Sequence, residues 1–240
     1  MRTLYRQNLV CLIFFMTAPL SAASLPSNLS SEEVGRAIQI FGVGSGMRLL
    51  RSSEALPDWP GFKAGVELTF QPMKNINSLG NANGTLPSLF PMPRFYFAKG
   101  LGHGGELLIG TFPFIMRNTV ATYGALLKWT VRPEDEYFLA TAVFAGYTRM
   151  LALNNSLRAH TLEVGISVSK DYVRLRPYGG VAFALSVGDV GSGSGLTRSG
   201  TVNSFKLFAG FELELPMSLS VQLDFLDLLP SASVLVGFRL

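Results

Sequence analysis

The sequence predicts an all-β fold, an antiparallel transmembrane β-barrel of about ten strands with a short N-terminal helix or plug segment. Three observations carry this. The last ten residues alternate, with Val234, Val236, Phe238 and Leu240 on one side and Ser233, Leu235, Gly237 and Arg239 on the other. Segments of the same kind recur along the chain from residue 61. Charged residues make up only 15% of the chain, against about 25% in ordinary soluble domains, and the mean hydropathy is +0.32. After the first 23 residues, no apolar run is long enough for a membrane helix. Strands closed into a barrel satisfy every backbone amide in lipid and leave no edge.

Residues 1–23 read as a secretory signal peptide. Arg2 and Arg6 form a basic start, Leu9 to Met16 an apolar core, Pro19 a break, and Ser21-Ala22-Ala23 a small-residue cleavage site. The core is shorter than the roughly 20 residues a membrane helix takes. Cys11, the one cysteine, lies inside that core. It precedes most of the apolar run, which argues against lipidation, and the mature chain holds itself together without disulfides. Without Arg2 and Arg6 the chain carries 18 basic and 16 acidic residues, a balance that excludes a nucleic-acid footprint.

Residues 24–60 form a leader of different character. Ser30 and Glu33 make a capping box, and Val34, Ala37, Ile38 and Phe41 recur at helical spacing, so a short amphipathic helix is expected over 31–41. Gly42, Gly44 and Gly46 end it, and Asp58-Trp59-Pro60-Gly61 is a turn signal. The leader is either a plug in the lumen, a helix at the periplasmic mouth, an ordered lead-in, or an extra strand through Ile38 and Ile40.

The barrel is expected over 61–240. Its first strand sets Phe62, Ala64, Val66, Leu68 and Phe70 against Lys63, Gly65, Glu67 and Thr69. Further strands follow near 93–99, 106–114, 120–131, 137–149, 158–169, 173–187, 202–215 and 219–226, and the terminal strand makes ten. Eight or twelve stay open, because each period-two signal is weak by itself.

In its export signal, its alternating strands and its terminal strand, the chain resembles Gram-negative outer-membrane β-barrel proteins. That family usually ends on Phe; this chain ends on Leu240, with Phe238 two residues earlier. The resemblance implies residence in outer-membrane lipid and insertion by the barrel assembly machinery, which recognises the C-terminal strand. Such barrels have short periplasmic turns and longer external loops. External connections are then 71–92, 115–119, 150–157, 188–201 and 227–231, and periplasmic ones are 100–105, 132–136, 170–172 and 216–218.

Chemistry has little material. A hydrolytic site needs a base within reach of its nucleophile or water, and His103 and His160 are the two histidines. His103 lies in a Gly102-His103-Gly104 turn, and His160 shares the outward side of Leu162 and Val164. No mature cysteine or histidine pair offers metal-ligand spacing. Gly191-Ser192-Gly193-Ser194-Gly195 lacks the Lys-Ser/Thr of a phosphate loop. No enzyme activity and no cofactor are expected. The polar parity instead gathers Lys63, Glu67, Arg94, Lys128, Glu163, Arg174, Arg176, Lys206, Glu212, Glu214, Asp224 and Arg239. They line either a narrow porin-like channel for small solutes or a lumen closed by paired charges. About eight strands already give an interior that side chains fill, and mixed signs suit pairing.

Overall fold

The computed structural model describes residues 28–57, 61–73, 76, 79, 88–112, 121–152, 156–191, 197–215, 217–227 and 229–239. The signal segment, Cys11, the Asp58-Trp59-Pro60 turn and Leu240 lie outside the described residues.

Ten antiparallel strands close into one barrel, each paired with its sequence neighbours and the first with the last. They are β1 (Phe62–Pro72), β2 (Leu89–Gly102), β3 (Gly105–Phe112), β4 (Ala121–Arg132) and β5 (Ala140–Ala152), then β6 (Leu157–Ser169), β7 (Leu175–Gly191), β8 (Thr197–Leu213), β9 (Ser218–Leu226) and β10 (Leu229–Arg239). The closing seam runs from Lys63↔Arg239 to Phe70↔Ala232. Each expected strand is present with shifted ends. The largest change is between β7 and β8. The stretch 188–201 was expected as one loop because it is polar and glycine-rich. It is mostly ladder, paired through Val190↔Arg198 and Gly191↔Thr197, and only 192–196 connects the two strands.

Period-two patterning decides which face each residue takes. Outward positions such as Leu127, Leu162, Val164, Ile166, Phe183 and Leu207 are exposed. Inward positions such as Lys128, Ser167, Ser186, Gln222 and Ser233 are buried. This inversion, apolar outside and polar within, is the pattern of a barrel whose solvent is lipid.

The two ends differ. The near rim carries Phe62 and Arg239, with connections 103–104, 133–139, 170–174 and 214–217. The far rim carries 73–88, 113–120, 153–156, 192–196 and 227–228. The longest connection is thus at the far rim.

The leader forms α1 (Ser31–Ile38), followed by one π-helical stretch, Gln39–Val43. The capping box is formed: Glu33 N–H donates to Ser30 Oγ at 3.3 Å, and Ser30 N–H to Glu33 Oε2 at 2.7 Å. Helical geometry holds Ile38 and Ile40, which overturns the extra-strand alternative, and it runs through Gly42 to Gly44. Val34, Ala37, Ile38 and Phe41 face a buried apolar cluster at the far rim with Met73, Phe90, Met150, Leu157 and Val190. From Gly44 the leader runs down the lumen to the near rim, where β1 begins. Residues 40–53 are all buried.

Candidate functional site

The lumen is where this chain concentrates its polar chemistry, and the leader occupies it. An extended segment inside a barrel has backbone donors and acceptors that water cannot reach, so the wall must supply partners. Met47 N–H donates to Thr148 Oγ1 at 3.0 Å, Leu50 N–H to Gln222 Oε1 at 3.1 Å, and Ser53 N–H to Ser169 Oγ at 2.9 Å. Ser52 N–H donates to Glu212 Oε2 at 3.2 Å, and Leu56 N–H to Glu106 Oε2 at 3.2 Å. In return, Arg94 Nη2 donates to Ser45 O at 2.5 Å, and Lys128 Nζ to Ser52 O at 2.9 Å and Glu54 O at 2.6 Å. Thr130 Oγ1 donates to Ser53 O at 2.7 Å. The serines, threonines and amides of the inner wall serve as sockets for a main chain.

Room for the leader comes from small inward residues. Gly110 and Gly124 face each other across β3 and β4, and a methyl group on either would run into the side chain of Met47. Ala182, Ala184, Ser186 and Ser204 keep the β7–β8 wall low and admit α1 and the π-helical stretch.

The charges divide into two groups. In mid-lumen, Arg48 of the leader pairs with Asp224 at 2.8 Å, and Arg51 with Glu106 at 2.6 Å. Lys128 also reaches Glu106, at 2.9 Å, so one carboxylate holds a cation from the wall and one from the leader. Lys63 pairs with Glu212 at 2.5 Å, Arg94 with Glu67 at 3.4 Å, and Lys206 with Glu163. All of these side chains are buried. At the near rim a second, wetter network joins Arg176 to Asp171 at 2.6 Å and to Glu214 at 2.7 Å, with Arg239 on the same Glu214 at 2.7 Å.

Of the residues expected to line the lumen, Lys63, Glu67, Arg94, Lys128, Glu163, Lys206, Glu212 and Asp224 point into it and are buried. Arg176, Glu214 and Arg239 sit at its near-rim mouth. Arg174 does not line it. The strand begins at Leu175, so Arg174 keeps the inward parity but lies exposed in the turn before it.

Sequence reasoning passed over Arg48 and Arg51, which lie in a segment with no strand pattern, and Glu106, the second residue of β3. Gly110 and Gly124 were the available signal, since a glycine inside a strand marks a site of close approach. Beside the near-rim network is a cavity of about 180 Å³, lined by Arg51, Leu56, Lys63, Glu212, Glu214 and neighbours.

His160 faces outward and is exposed, with Nδ1 at 2.6 Å from the Tyr147 hydroxyl. His103 lies in the β2–β3 turn at φ 49°. Among the described residues, no group of three or more His, Cys, Asp or Glu is placed to hold a metal.

No protein-family model matches the chain, and no curated protein matches it in sequence. Among solved structures it is similar to Neisserial surface protein A, at 15% identity and a TM-score of 0.32, covering 75% of this chain and 96% of that one. It is also similar to Ail, the attachment invasion locus protein of Yersinia pestis, at 10% identity and a TM-score of 0.32, with the same coverages. Likenesses this remote carry no argument about function.

Proposed function

We propose that this chain is an integral outer-membrane barrel whose lumen is closed by its own leader. Its role is structural, or the presentation of its far-rim loops, with no open solute channel. One observation carries the reading. Arg48 and Arg51 of the leader are locked to Asp224 and Glu106 of the wall, and the main chain at Leu50 and Ser52 is hydrogen-bonded to wall side chains. A narrow barrel that holds a chain in this way has no room for a continuous water column.

The apolar outer wall and the low charge content support a membrane location. The signal-like residues 1–23 and the alternating terminal strand support export and insertion by the barrel assembly machinery. With both barrel termini at the near rim and the longest connection at the far rim, the near rim faces the periplasm.

A narrow channel opened by withdrawal of the leader is the second reading, favoured by the polar cavity at the near-rim mouth. Planar-bilayer recording on refolded protein tests both. The closed barrel is expected to give no steady conductance until residues 24–56 are deleted. A stable open level from the intact chain would overturn closure and favour the channel.

A further inference from the structure

The outer wall carries two arginines that the lumen network does not explain. Arg149 on β5 and Arg158 on β6 both face outward and are exposed. Among the described residues, neither has a side-chain hydrogen-bond or ion-pair partner. Arg149 stands opposite His160, and Arg158 opposite Leu151. The two arginines are therefore diagonal neighbours, about 7–8 Å apart across the ladder.

The charged group facing this pair from the next strand is Asp189, the ladder partner of Arg158 on β7. Its carboxylate accepts from Ser199 Oγ at 2.7 Å instead of pairing with the arginine. Tyr123, Tyr147 and His160 complete the outward patch.

Position along the strand sets the chemistry. Outward on β6 come Arg158 and His160, then Leu162, Val164, Ile166 and Val168, with Lys170 just past the strand's end. A rise of about 3.3 Å per residue and a tilt near 40° place Arg158 some 15 Å above Val164 along the membrane normal. The apolar band of such barrels is about 25 Å tall. Arg158 is therefore just past its edge, at headgroup height, and the chains of a lipid seated there would lie on Leu162 and Val164.

Two adjacent like charges repel each other, and Asp189 stands beside Arg158 alone, so the pair keeps an excess of positive charge. A phosphate between them removes that repulsion and accepts the paired N–H groups a guanidinium offers.

We propose that Arg149, Arg158 and His160 form a binding site for the phosphate of a lipid headgroup in the far-rim leaflet. The site rests on the membrane reading above.

Native mass spectrometry of the folded full chain tests it, with lipid A, its monophosphorylated form and phosphatidylcholine as probes. Retention is expected to fall in that order. The double variant R149Q/R158Q is expected to lose about 30-fold in lipid A affinity, and R149K/R158K to recover part of it. R132Q, at the near rim, is expected to bind as wild type. Equal retention by R149Q/R158Q and wild type would overturn the site. So would full displacement by excess inorganic phosphate, which would mean that free phosphate and not a lipid is the ligand. Insertion into vesicles, read by heat-dependent gel mobility, separates the two readings: failure to insert sinks the membrane reading, whereas insertion without lipid preference sinks only the site.

Discussion

Arg48 Nε donates to Asp224 Oδ2 at 2.8 Å across a lumen where both side chains are almost wholly buried. The same guanidinium reaches Gly44 O at 2.8 Å and Ser231 Oγ at 3.2 Å, so one leader residue ties its own backbone to both β9 and β10. Removing one partner of a buried pair leaves a charge without compensation, at about 3–5 kcal/mol. Arg48→Ala is expected to lower the unfolding free energy in detergent by that amount. Arg48→Met with Asp224→Leu should restore most of the loss. Urea titration followed by gel mobility checks both.

The leader fits because the wall is hollowed beneath it. Gly124→Leu fills the space that Met47 occupies, and overpacking of this kind costs about 1–3 kcal/mol. The expected outcome is a closed barrel with a displaced leader. Limited proteolysis should cut within 44–53 in the variant and leave the wild type intact.

Deleting 24–56 should do more than open a path. Among the described buried residues, the wall has one more carboxylate than cation, and Arg48 and Arg51 reverse that balance. The deletion variant is therefore expected to conduct with a preference for cations. Reversal potentials in a salt gradient measure this, and Asp224→Asn in the same background should weaken it.

Val164 is 54% exposed at mid-strand on the outer wall. Val164→Arg is expected to cost about 2–4 kcal/mol if it lies at the bilayer midplane. Equilibrium folding into lipid vesicles measures the cost. A variant that folds as well as wild type would mean that this face does not meet lipid.

The leader reaches the far rim with its N-terminal end, where Arg198 of β8 donates to Leu29 O. A peptide tag placed directly after Ala23 should therefore be labelled on intact cells, and one at Asp135 should not. Labelling of the second but not the first would invert the orientation.

Strand number and wall parity were legible because period two is a local property, written in neighbours such as Leu162, Val164 and Ile166. The route of the leader was not. Its helix was visible in Ser30 and Glu33, but Arg48 meets Asp224 and Arg51 meets Glu106 across long stretches of chain. No local pattern encodes such a pairing. The inward charges were identifiable by parity, yet parity cannot tell a strand from the turn that precedes it, and Arg174 fell on the wrong side of that boundary. The β7–β8 hairpin was read too short for a related reason: Gly188, Gly191 and Gly200 look like loop residues, although Gly188 and Gly200 are ladder partners facing α1.

The leader enters the lumen at the near rim and leaves it at the far one, while β1 and β10 zip together around it. A ring closed on an empty lumen would have to draw residues 40–53 in from one rim, past wall groups already facing one another, whereas a ring that closes around them needs no such passage. The β1–β10 seam is then a clasp as well as a joint: while it stays shut, the leader can leave only by sliding lengthwise, with each of its contacts to the wall broken on the way.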